Sequence, residues 1–193
     1  MIVLASASPR RQELLRNAGI AFTVEPAEIN ETPLPGESPV HCAERLAREK
    51  ALAVSQKNPE QWVLGADTIV VVDEAILGKP CDAEDAARML RLLSGRTHAV
   101  ITGVCVVKPV ASGQRPVAST ITTSETTLVT FCEMSEVEIR EYVATGEPMD
   151  KAGAYAIQGI ASRWIPRIEG DYSNVVGLPV APVYRMLRER GAL

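Results

Sequence analysis

Residues 62–73, "WVLGADTIVVVD", decide the architecture of this chain. Eight of the first ten positions after Trp62 are apolar or glycine, with Val and Ile dominating the second half, and there is no clean alternation with polar residues. A strand wetted on one face would alternate, so this run reads as a central strand covered on both faces. Asp67 breaks the pattern from inside it. An unpaired buried carboxylate costs several kcal/mol or takes up a proton, so something must compensate it. Two readings stand at this point: hydrogen bonds from nearby backbone N–H groups, or a role as metal ligand or general base at a strand end.

Working outward, "EAILGKP" (74–80) returns the chain toward Asp82, the expected N-cap of a helix that ends near Gly95. Upstream, "IVLA" (2–5) is a short buried strand, followed by a helix from Pro9 to about Ala18 that stops at Gly19, and a second short strand in "AFTVE" (21–25). "INETPLPGESP" (29–39) is a loop that delivers Ser38 as N-cap and Pro39 as first helical residue of a long helix reaching about Lys57. Downstream, residues 97–107 and 118–131 read as strands joined by a turn at "ASGQRPV" (111–117), the second half-exposed and antiparallel. Ser135 with Glu138 forms a capping box for a helix closed by Gly146, and "PVAPVYRMLRERG" (179–191) ends the chain as a basic helix. Two Gly-rich segments, 150–159 and 168–179, lie between them. The expected class is α/β with a mixed sheet.

With 193 residues, 46% of them hydrophobic and 23% charged, the chain has ordinary globular usage and is expected to form one domain, 1–193. The formal net charge of −4 gives no general attraction to nucleic acid or an anionic membrane, and no basic stripe with interleaved aromatics is present. No apolar run approaches a bilayer span and no cleavable leader opens the chain, so a soluble cytoplasmic protein is expected. Cys42, Cys81, Cys105 and Cys132 are scattered and read as free thiols, and neither they nor His41 and His98 show zinc-ligand spacing.

Three more residues break local rules. Arg10 and Arg11 occupy the first turn of a helix, where the dipole disfavours cations by about 0.3–1 kcal/mol each. Behind a strand and a serine-containing turn, they suit an anion cradle in which guanidinium forks grip phosphate oxygens; an ordinary salt bridge with one arginine in solvent is the alternative. Lys50 shares a helical stripe with Ala43, Leu46, Ala47 and Val54, where it either snorkels to the surface or serves a site. Lys79 in "LGKP", Glu31 in the acidic loop and Gln158 in "AIQG" carry little signal singly.

Taken in order, "ASASPRRQELL", "REKA", "GADTIV", "LGKP", "LSGRTHAVITGV", "MDKAGAYAIQG" and "VVGLP" resemble the Maf family of nucleoside triphosphate pyrophosphatases, from Ile2 to about Leu187. The resemblance implies an elongated mixed β-sheet flanked by helices, in two lobes with a central cleft. It also implies hydrolysis of a nucleoside triphosphate between its α and β phosphates, with Mg²⁺ or Mn²⁺ as cofactor. Ser6, Arg10 and Arg11 match the family's phosphate-binding start, Lys50 and Lys79 its triphosphate-facing lysines, Glu31 an acidic metal position, and Asp67 the proton acceptor or a metal bridge. Arg10, Thr68 and Gln158 resemble the branch acting on dTTP and UTP, rather than the branch acting on 7-methylguanosine triphosphate, which carries Glu in place of this Gln. An amide both donates to and accepts from a pyrimidine edge. A non-catalytic nucleotide-sensing regulator of division is the competing class, and a homodimer is compatible with the resemblance.

Overall fold

The computed structural model describes residues 1–108 and 119–193, so the expected turn at 111–117 lies outside the described residues. The described elements are β1 (Ile2–Leu4), α1 (Pro9–Asn17), β2 (Phe22–Val24), α2 (Pro39–Ser55), β3 (Val63–Val72), β4 (Ala75–Leu77), α3 (Ala83–Leu93), β5 (Thr97–Val107), β6 (Thr120–Thr130), α4 (Glu136–Ala144), β7 (Arg167–Glu169), α5 (Tyr172–Val176) and α6 (Val180–Glu189). Strands follow the order β2-β1-β3-β5-β6-β7, with β4 also pairing β3. β1 runs parallel to β2 and β3, whereas β3–β4 and β6–β7 are antiparallel, so the sheet is mixed. Among the described residues no helix is long and apolar enough to cross a membrane, and the four cysteines are free.

Helix starts sit where the capping chemistry puts them. Ser38 Oγ accepts from the His41 N–H ahead of Pro39, Asp82 accepts from the Asp85 N–H, and the Ser135–Glu138 capping box is closed in both directions. The two Gly-rich segments and the residues flanking them hold more structure than their sequence announces: 3₁₀ turns at Glu147–Asp150, Ala152–Ala154 and Ile160–Trp164, together with β7 and the short α5.

The chain divides into two compact units: residues 1–67, 102–125 and 177–193, and residues 68–101 and 126–176. In the first, period-two alternation along the strands builds a core on each face of the sheet. Ile2, Leu4, Leu64, Ala66, Val104 and Val106 face Leu15 of α1 and Val183 and Leu187 of α6. Val3, Ala5, Val63, Cys105 and Val107 face Ala47, Ala51 and Val54 of α2. Coverage on both faces explains why the strand around Asp67 reads as a nearly unbroken apolar run. The second unit has its own core, where α3 and α4 pack with Val70, Val72, Val129, Phe131 and Trp164.

Candidate active site

The first turn of α1 holds its cations by burying one of them. Ser8 caps the helix by accepting from the Arg11 N–H, Pro9 follows, and no acidic residue lies in the first turn. Arg11 is 8% exposed. Its Nε donates to the Gly177 carbonyl at 2.8 Å and its Nη1 to Ser6 Oγ at 3.1 Å, while the same hydroxyl accepts from the Ser8 N–H at 3.3 Å. Burial pulls the Arg11 pKa down, the Asp67 carboxylate pushes it back up, neighbouring Arg10 lowers it and Glu31 raises it. A guanidinium keeps its charge through such changes, so Ser6 and Arg11 form a rigid cationic floor with half-buried Arg10 beside it.

The second cluster depends on how closely α2 lies on the sheet. A Cβ at Gly65 would sit 2.2 Å from the Ala47 carbonyl oxygen, and one at Gly103 2.2 Å from that of Ala43. Only hydrogen at those positions lets the helix backbone descend onto β3 and β5. Asp67 shares the strand parity of Val63 and Gly65, so it faces the same helix. There Lys50 Nζ meets Asp67 Oδ1 at 2.6 Å and Glu31 Oε1 at 2.5 Å, with side-chain exposures of 9% for Lys50, 11% for Asp67 and 49% for Glu31. Lys50 therefore does not snorkel; it is a buried ammonium bridging two carboxylates, the arrangement that makes its burial tolerable.

Arg45, one turn before Lys50, holds the loop that brings Glu31 in. Its Nε and Nη2 grip Glu37 at 2.7 and 2.9 Å, and Nη2 also donates to the Thr32 carbonyl at 3.2 Å. Glu37 in turn accepts from the Leu34 N–H, and the fork holds its pKa down to about 2.

Thr68, Lys79 and Gln158 belong to the second unit. Thr68 is half-buried in β3, whereas Lys79, just after β4, and Gln158 are exposed. Their segments are linked: the Gly153 N–H donates to the Gly78 carbonyl at 3.1 Å. Gly153 and Ala154 both take left-handed backbone, at φ 69° and 61°, and a Cβ on Gly153 would crowd Val70 at 2.9 Å. Ala154 in that region carries strain of about 1 kcal/mol, held by the surrounding bonds. Gln158 occupies a turn closed by the Gly159 N–H donating to the Ala156 carbonyl at 3.0 Å. The turn's two ends are held by Tyr142 and Glu147, through the Ala156 and Ile160 amides. Arg45, Tyr142 and Glu147 escape sequence reasoning, because each is locally ordinary and acquires its partners only in three dimensions.

For a metal, the donor set is two carboxylates aimed at one positive charge; among the described residues no group of three or more His, Cys, Asp and Glu side chains gathers into a dedicated cage. Hard oxygen donors in that number suit a dication whose remaining positions are filled by phosphate oxygens and water.

The family profile described as Maf-like protein matches residues 1–190. Over 192 residues the chain is 57% identical to the dTTP/UTP pyrophosphatase of Koribacter versatilis, covering 100% of this chain and 95% of that one. It is 52% identical to the dTTP/UTP pyrophosphatase of Geobacter sulfurreducens and 51% identical to that of Geobacter metallireducens, covering 100% of this chain and 97% of each. With its ordered motifs, its mixed sheet and this full-length similarity, the chain belongs to the Maf family.

Proposed function

We propose that this protein is a nucleoside triphosphate pyrophosphatase that hydrolyses dTTP and UTP to the monophosphate and pyrophosphate. The observation that carries the chemistry is the Lys50 ammonium held between Glu31 and Asp67 beside the buried Arg11, a cluster of opposite charges. Substrate preference rests on the names of relatives similar over the full chain, and on Gln158, whose amide can pair with both O4 and N3–H of a uracil or thymine edge. Arg10 and Thr68 are assigned to the same discrimination.

In this reading Ser6, Arg10, Arg11 and the N-terminus of α1 bind phosphate oxygens. Lys50 and Lys79 offset charge that grows on the leaving pyrophosphate. Asp67 orients a water molecule and takes its proton as the oxygen attacks, while the bond from the α-phosphorus to the bridging oxygen breaks and the electron pair leaves with pyrophosphate. Glu31 and Asp67 are the residues that would hold Mg²⁺ or Mn²⁺, which when bound supplies charge neutralisation on the phosphates. The chemistry is mostly positioning and electrostatics, so no cysteine takes part. A cytoplasmic setting, where nucleotides are plentiful and thiols stay reduced, suits the four free cysteines.

Asp67→Asn tests the assignment. The amide keeps shape and hydrogen bonding but cannot accept the proton, so turnover should fall by at least ~10² with the fold retained by circular dichroism. Near-normal kcat in the folded variant would leave Asp67 with a structural role only.

A further inference from the structure

Gln158 is exposed at the tip of its turn, so whatever orients its amide must act through the backbone that carries it. The two ends of that turn are tethered to one hydrogen-bonded pair. At the start, the Ala156 N–H donates to Tyr142 Oη at 3.3 Å. At the end, the Ile160 N–H donates to both carboxylate oxygens of Glu147, at 3.1 and 3.2 Å. The tethers are themselves joined, because Tyr142 Oη donates to Glu147 Oε1 at 2.8 Å. The circuit therefore runs from Ala156 through Tyr142 and Glu147 to Ile160 and closes through the turn.

Two further features show that the circuit is built in. Tyr142, on α4, is 1% exposed, and burial together with the adjacent carboxylate raises its pKa, so its hydroxyl stays protonated as the donor the pair requires. At Gly159 a Cβ would stand 2.3 Å from Glu147 Oε1, so only glycine lets the carboxylate reach under the turn.

We propose that Glu147 and Tyr142 are a positioning pair for nucleobase discrimination, fixing the Ala156–Gly159 turn so that the Gln158 amide meets a pyrimidine edge in one orientation. This rests on the base-reading role given to Gln158 above. Neither residue contacts the phosphates in this account; their loss loosens the base reader and leaves the hydrolytic cluster of the first unit untouched. The cost falls on binding of the preferred base, in KM, and lowers the dTTP-to-GTP ratio of kcat/KM by about tenfold, the scale of one misplaced hydrogen-bonding pair.

The test measures kcat and KM for dTTP, UTP, CTP and GTP in the intact protein and in Glu147→Ala, Glu147→Gln, Tyr142→Phe and Gln158→Ala, with Glu147→Ala and Tyr142→Phe repeated in the Gln158→Ala background. Glu147→Ala and Tyr142→Phe should each lower the dTTP-to-GTP ratio through KM, with kcat within about twofold. Glu147→Gln, which keeps an oxygen able to accept from both Tyr142 and Ile160, should restore most of the ratio. Added to Gln158→Ala, neither substitution should change the ratio further. A loss shared equally by all four nucleotides, or one that adds to that of Gln158→Ala, overturns the positioning role while base reading by Gln158 stands. An unchanged ratio in Gln158→Ala itself overturns the base-reading role and the inference with it. Tyr142→Phe keeps the buried ring, so it carries the test should Glu147→Ala not fold.

Discussion

Lys50 is a buried ammonium whose two partners are the carboxylates of Glu31 and Asp67. Its place on the apolar stripe of α2 suggests that Met would fit there and relieve a buried charge. The structure reverses that expectation, because Asp67 beside it is also buried and would be left without its cation. Removing one member of such a pair costs more than the pair contributes. Lys50→Met should therefore lower stability by about 2–3 kcal/mol, below the full figure for a dry pair since Glu31 keeps half its surface in water. Adding Asp67→Asn should return part of that loss, and thermal melts of the two variants decide it: an unchanged melting temperature in the single variant would show that the pair contributes nothing to the fold. Asp67, Lys50 and Arg11 were legible in the sequence because each violates a rule of burial or helix dipole. Glu31 was not, since an acid in a Pro- and Gly-rich loop looks solvated, and only the resemblance singled it out. Tyr142 and Glu147 gave no signal at all, being an ordinary helical tyrosine and an ordinary acid after a helix.

Among the elements, α2 governs the site. Its N-cap serine, its proline and its apolar spacing were plain from the sequence, and so was the buried strand it covers. How near it lies to that strand was not plain, because this depends on Gly65 and Gly103 meeting the backbone of the helix rather than on any local propensity. Gly65→Ala should push the helix outward, costing about 1–3 kcal/mol of stability as overpacking does, and should lower activity more than that stability loss accounts for. Urea unfolding together with kcat/KM measured where the variant is fully folded separates the two effects; full activity in the folded variant would show that the Lys50–Asp67 contact tolerates a displaced helix. β7, α5 and the 3₁₀ turns lay hidden because each spans only three to five residues and their bonds run to distant residues. Thr127 Oγ1, for example, both accepts from the Asp171 N–H and donates to its carbonyl. Such pairings leave no periodicity to read.

At the scale of the molecule, each unit keeps its own core, and the second encloses a histidine with no part in the proposed chemistry. His98 is 2% exposed and packs edge-on against Phe131 and Tyr155, at centroid distances of 5.2 and 5.4 Å. Its Nε2 lies 2.8 Å from Tyr155 Oη, Nδ1 has no partner among the described residues, and burial pulls its pKa down to about 4. The unfolded chain binds this proton near pH 6.5 and the folded chain only near pH 4, so His98 favours the fold above pH 6.5 and that advantage is lost as pH falls toward 4. Between pH 7.5 and pH 5 the loss from this residue should be ~2 kcal/mol by urea unfolding, and His98→Phe should flatten the slope. An equal slope in both proteins would assign the acid sensitivity to other groups. The α/β class and the order of the longer strands and helices were legible from pattern alone; the division into two units was not, because β3, β5 and β6 each continue from one unit into the other. Hydrolysis of a pyrimidine triphosphate between its α and β phosphates is tested most directly by incubating the protein with dTTP or UTP and Mg²⁺ and separating the products by anion exchange. dTMP or UMP and pyrophosphate should appear in equal amounts. Nucleoside diphosphate with inorganic phosphate, or no product from any nucleotide, would contradict it.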